Sequence, residues 1–243
     1  MLTQIVSRPE WLRARKALLV EEKRLKRQQD ALAEKRRSLP MTRVQKAYKF
    51  ETEDGPASLI ELFGGARQLV LYHFMFGEDW VEGCPSCSFW ADQFNGTVPH
   101  LQARDTRFAC VSSAPLNKLL AYRGRMGWSF PWVSSAGTGF GEDFGVFFVA
   151  DGDYPEGYNY SGEPGNGELP GLSVFWRDGG AVLHSYSTYA RGLEPMNAVY
   201  AMLDMTPAGR AEDGLPLPMA WVRRRDDYAS GKPDAPVCDH QSG

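Results

Sequence analysis

The sequence predicts an α/β domain, a mixed central sheet with helices on both faces, preceded by a long helix and followed by an irregular tail. Three observations carry this expectation. Gln68 to Phe76 is a near-continuous apolar run, the pattern of a strand buried on both faces of a parallel sheet. Strand-like and helix-like segments then alternate as β-α-β-α-β, ending in a β-hairpin and a last helix. The 243 residues, 43% of them hydrophobic, suffice for one sizeable core with appendages.

Residues 7–38 form one long helical pattern. Ser7 and Glu10 have capping-box spacing, Pro9 sits in the first turn, and Pro40 stops the helix. Trp11, Leu18, Leu25, Leu32 and Leu39 recur every seven residues. The partner positions Ala14, Glu21, Gln28 and Lys35 are mostly polar, so a full coiled-coil seam is not supported. The segment holds eleven basic and five acidic residues, a net of +6; with −3 overall, the rest of the chain carries −9. The expected role is a solvated helix laying a thin apolar stripe on its own domain or on a second copy, a possible homo-oligomer contact. Aromatic interleaving stops after Trp11, and the net charge is negative, so neither nucleic acid nor a membrane surface is expected as partner. The first residues lack a secretory apolar region, and the longest apolar run falls short of a membrane span, so the expected address is cytoplasmic.

Val44 to Phe50 alternates loosely as a strand, Asp54-Gly55 marks a turn, and Ser58 to Phe63 suits a short helix closed by Gly64-Gly65. After the buried strand come a loop, Gly77 to Gly83, a helical stretch over Cys87 to Gln93, and another over Val98 to Ala103. Thr106 to Ser112 reads as a strand, Ala114 to Met126 as a helix, and Phe130 to Val133 as a short strand. Gly137 to Gly141 lacks dinucleotide-fingerprint spacing and reads as a loop. Asp151 to Glu168 is a long polar loop; Tyr154, Tyr158 and Tyr160 make it a candidate lid over a substrate. Leu172 to Trp176 and Ala181 to Tyr186 form a hairpin, and Leu193 to Leu203 a closing helix. The segments divide as 1–40 basic helix, 41–206 α/β domain and 207–243 Pro-rich tail, the last loose apart from Trp221 to Arg225.

The chemistry concentrates at Cys84-Pro85-Ser86-Cys87. A lone close pair of cysteines in a cytosolic chain reads as redox or metal chemistry. A structural metal site wants four ligands, and Cys110 and the tail sequence Cys238-Asp239-His240 offer no second close pair, so no metal is expected. A cysteine opening a helix has its thiolate stabilised there, and a second one turn later can close a disulfide with little backbone movement. Cys84 is then the nucleophile and Cys87 the resolving thiol, with Pro85 at the first helical position. Glu78, Asp79 and Glu82 lie just before Cys84 and would raise its pKa if they face the sulfur. Cys110 reads as a buried small residue, His73 as a core or near-site histidine with a proton-handling or metal role as the alternative, and His184 as half-exposed structure.

The stretch from Phe50 through Asp54-Gly55, Gln68 to Phe76 and Cys84 to Cys87 resembles the start of a thioredoxin or peroxiredoxin-like domain. Leu169-Pro170-Gly171-Leu172-Ser173-Val174-Phe175 with Asp178-Gly179-Gly180 resembles the thioredoxin segment in which a cis-proline precedes a strand and a tight turn. More closely, His73 to Gly77, Gly83 to Asp92 and Tyr186 to Gly192 are similar to a bacterial thioredoxin-like family catalogued as domain of unknown function 899. The resemblance implies a thioredoxin-like three-layer fold over 41–206 and a thiol–disulfide oxidoreductase acting through Cys84 and Cys87. It also implies that Pro170, in cis, holds extended substrate; Pro85 and Trp90, within and beside the motif, are expected as further substrate contacts. Val81 stands where peroxiredoxins use a hydroxyl residue, which disfavours peroxidase chemistry. The implied partner is a disulfide-bearing protein or small thiol, with no bound cofactor. The alternatives are a glutathione-linked, glutaredoxin-like reductase, suggested by Cys-Pro-x-Cys, and a non-catalytic binding or assembly protein.

Overall fold

The computed structural model describes residues 4–229. Helix α1, Arg8–Arg37, opens with the expected capping box: the Ser7 side chain accepts from the Glu10 N–H, and the Glu10 carboxylate accepts from the Ser7 N–H at 3.0 Å. The strand expected over 44–50 is divided. β1, Thr42–Arg43, pairs with a later strand, whereas β2, Lys49–Thr52, forms a hairpin with β3, Gly55–Ser58. Gly55 takes φ +104°, a conformation the tight turn leaves to glycine.

Three parallel strands follow: β4, Gln68–His73, β5, Thr106–Ser112, and β6, Trp132–Ser134. They are connected through α2, Pro85–Ala91, α3, Val98–Gln102, and α4, Leu116–Met126. Then come α5, Phe140–Asp143, and β7, Phe147–Phe148, paired with β8, Gly167–Glu168. The hairpin β9, Gly171–Asp178, and β10, Ala181–Tyr189, precedes α6, Ala198–Leu203. The main sheet runs β1-β10-β9-β4-β5-β6-β2-β3. β4 therefore has a strand on each side and a core on each face, which is why its sequence is apolar almost throughout. Leu69 and Leu71 join Phe50, Phe63, Phe140 and Phe175 in one core; Tyr72 joins Cys87, Cys110, Leu119 and Trp132 in the other. This is the thioredoxin-like three-layer arrangement, with α2 and α4 on one face and α5 on the other.

The closing helix expected over 193–203 is broken. Pro195 ends a 3-10 segment, Ala190–Met196, and Asn197 caps α6 by accepting from the Tyr200 N–H at 3.0 Å. After α6 the described chain is irregular, as expected, yet it is held down. Val222 and Arg224 are buried, and Met219 and Trp221 pack on the Tyr72 core. Cys238, Asp239 and His240 lie outside the described residues. No helix among the described residues is long and apolar enough to cross a membrane.

Candidate active site

Cys84 occupies the N-cap of α2. Its Sγ accepts from the Cys87 N–H at 3.5 Å, while its own N–H donates to the Met75 carbonyl at 3.1 Å. α2 is only seven residues long, so the sulfur is served by this local amide more than by a summed helix dipole. Pro85 stands in the first turn, where its missing N–H leaves no gap. The Ser88 hydroxyl donates to the Cys84 carbonyl at 2.8 Å and lies 2.8 Å from the Tyr122 hydroxyl. Cys84, Cys87 and Cys110 are thiols, and all three are buried.

The first two sulfurs lie in a closed chamber: Cys84 and Cys87 are each 1% exposed. Tyr72 closes one side of it. Burial, and then the neighbouring thiols with Cys87 foremost, holds the Tyr72 phenol well above its ordinary pKa. Tyr158, from the long loop, stands close enough to Cys87 to feel its charge, and burial raises this phenol too. Its hydroxyl donates to the Pro170 carbonyl at 2.8 Å and accepts from the Ala190 N–H at 3.0 Å. Tyr158 therefore ties the Pro170 carbonyl to the backbone of Ala190.

Arg224, from the tail, braces the residue before Cys84. It is 8% exposed, and its guanidinium donates to the Gly83 carbonyl at 2.8 and 3.1 Å and to the Tyr122 hydroxyl at 3.1 Å. It also pairs with Glu82 at 3.0 Å, and Arg125 binds the same carboxylate. Glu82 is thus answered by two cations, so its charge is not left to act on the sulfur. Gly83 is there for clearance: a Cβ on it would stand 2.7 Å from the Phe74 ring and 2.9 Å from the Tyr122 ring.

One expectation changes. The Leu169–Pro170 bond is trans, since no peptide bond among the described residues is cis. Extended pairing of β8 with β7 and the Leu169 N–H bond to Val146 deliver the chain to Pro170 without a cis turn. Trp90 is buried, and its indole N–H donates to the Leu193 carbonyl at 3.0 Å, tying α2 to the segment before α6. Pro85 is likewise buried. His73 lies on the sheet face opposite Tyr72. Its Nε2 meets the Ser173 hydroxyl at 2.8 Å, and burial with the nearby His184 lowers its pKa to about 3. Burial raises the pKa of Cys110 well above its ordinary value. Among the described residues no group of three or more His, Cys, Asp or Glu is placed to hold a metal ion.

A cavity of about 840 Å³ opens at the carboxyl ends of β4, β5 and β6, where open α/β sheets commonly bind ligands. Glu78, Asp79, Trp80 and Glu168 are among its walls. Neither cysteine lines it, but it shares Met75 with the Cys84 amide and Leu169 with the Pro170 turn. Glu168 binds the Ser113 hydroxyl, and burial raises its carboxyl pKa to about 7.

The sequence matches, over residues 1–228, the family described as "Bacterial protein of unknown function (DUF899)". The chain belongs to this family. No curated protein gives a match. Among solved structures, this chain is similar to Xanthomonas campestris Peroxiredoxin Q at 17% identity, covering 69% of this chain and 96% of that one, with a TM-score of 0.45. Peroxidoxin BcpB from Mycobacterium tuberculosis gives 16% identity, 66% and 94% coverage, and 0.45. The mitochondrial 2-cys peroxiredoxin from Plasmodium falciparum gives 11%, 68%, 92% and 0.40.

Arg224, Tyr72 and Glu168 carry little sign of these positions in the amino-acid sequence. Tyr72 shares its strand face with Phe74, so period-two alternation could have brought it to the motif's side. Arg224 had only a weak signal, a cation following the apolar Trp221-Val222 of the tail. Glu168 had none.

Proposed function

We propose that this chain is a thiol–disulfide oxidoreductase. The observation carrying the reading is Cys84 at the cap of α2, its sulfur held by the Cys87 amide one turn on. The Cys84 thiolate attacks a disulfide of the partner, forming a mixed disulfide and releasing one partner thiolate. The Cys87 thiolate then attacks Cys84 Sγ, releasing the second partner thiolate and leaving an internal disulfide. The partner gains two electrons, and an external thiol donor restores the pair. The substrate is a protein disulfide or the disulfide of a small thiol, and the compartment this reading assigns is the cytoplasm, whose thiol pools can supply that donor. Pro170 frames the approach once Tyr158 releases its carbonyl, and Pro85 and Trp90 are the further contacts this reading assigns.

Equilibration in graded thiol–disulfide buffers with peptide mass analysis tests this directly. A reversible Cys84–Cys87 disulfide is expected, with Cys84→Ser inactive and Cys87→Ser accumulating a mixed disulfide with the partner. A pair that never closes, or full turnover in both variants, removes the reading. The burial of both sulfurs favours one second reading, a binding protein with a passive cysteine pair; it is distinguished by activity that survives both substitutions. Comparing glutathione with a protein dithiol as donor distinguishes the glutaredoxin-like form.

A further inference from the structure

The longest element of the chain has almost nothing to rest on. No residue of α1 is buried, and its seventh-residue stripe stands open, with Leu18 and Leu25 more than half exposed at 56% and 55%. Its described ring contact with the body is at the C-terminal end, where the Arg36 guanidinium lies 5.5 Å from the Tyr186 ring centre. Helices in water depend chiefly on packing an apolar face, and among the described residues of its own chain this 30-residue helix with a bare leucine stripe has no surface that buries it.

Charge and width select the partner. Two copies of α1 side by side would bring two +6 segments together, and the second apolar position of each heptad holds Ala14, Glu21, Gln28 and Lys35. The rest of the chain carries the opposite charge, −9. A membrane surface suits the stripe less well, because it is about one side chain wide and five carboxylates are interspersed along the helix.

We propose that α1 docks on the acidic body of a second copy of this chain, the two copies exchanging helices about a two-fold axis. Such an isologous arrangement satisfies both stripes at once and closes without growing a filament. At about 1.5 Å per residue α1 is ~45 Å long, and at ~10 Å across it presents roughly 450 Å². Giving one helix face and receiving another engages roughly 900 Å² per partner, about what specific interfaces use.

Sedimentation equilibrium on the full chain tests this at about 0.1 M and about 1 M salt. The wild type is expected at twice 27.1 kDa, with a dissociation constant at least roughly tenfold weaker at high salt. Leu18→Glu with Leu25→Glu, changes that keep good helix formers on an exposed face, is expected to sediment as a monomer, with the α/β domain still folded by its near-ultraviolet circular dichroism. A wild type that stays monomeric at about 100 μM overturns the proposal. So does a dimer unmoved by the leucine changes, or one indifferent to salt. A monomer that floats with phosphatidylserine vesicles, and not with neutral ones, assigns the helix to a membrane surface instead. None of these readouts depends on the cysteines, so their outcome is separate from that of the oxidoreductase reading.

Discussion

Gly83 and Glu168 show how single residues set the terms of this site. Gly83 threads between the Phe74 and Tyr122 rings with no room for a methyl group, and Arg224 holds its carbonyl. Gly83→Ala is therefore expected to destabilise the fold by about 1–3 kcal/mol, the usual range for overpacking a filled core. Chemical denaturation would measure this; a change below about 0.5 kcal/mol would mean that both rings give way without cost. Glu168 acts through its proton. Its folded pKa of about 7 stands above the ordinary 4.5, so the folded state binds a proton that the unfolded state has released. The stabilisation is complete below about pH 4.5 and is lost as pH rises through 7, up to ~3 kcal/mol. His73 has the opposite slope: its depressed pKa makes stability fall as pH drops from about 6.5 toward 3. Glu168→Gln is expected to gain stability over wild type at pH 8 and little at pH 4, read as melting temperature across pH. A parallel offset at all pH values would assign Glu168 no titrating role.

At the scale of elements, α2 is completed by chain from elsewhere in the sequence. The stretch from Met219 to Arg224 supplies Trp221 against the Phe89 ring, buried Val222, and the guanidinium that holds Gly83. Arg224→Gln removes charge-assisted hydrogen bonds of a kind typically worth about 1.5–3 kcal/mol each. The population of chains with exposed sulfurs should then rise at least roughly tenfold. Iodoacetamide labelling of Cys84 followed by peptide mass analysis reads that population; an unchanged rate with intact circular dichroism would show that the tail is no cover. Tyr158 is the corresponding closure from the long loop, where a lid was expected from the tyrosines. Its hydroxyl joins Pro170 to the backbone of Ala190, an attachment no sequence pattern announces.

For the molecule as a whole, the legible parts were those written in local pattern. Thr106 to Ser112 and α1 appear within a residue of their expected bounds because alternation and capping chemistry are local. The division of the sheet into two cores also follows from the period of β4. What escaped notice depends on contacts between distant segments: the trans bond at Pro170, fixed by β8 pairing, and the bracing of Gly83 beside the dithiol, fixed by Arg224. Gly83 and Arg224 stand 141 residues apart. At a bacterial synthesis rate of roughly 15 residues per second, the ribosome releases the cysteines on the order of ten seconds before it releases Arg224. During that interval the newborn chain lacks the clasp on Gly83, so the wall beside the dithiol is finished only when the tail arrives.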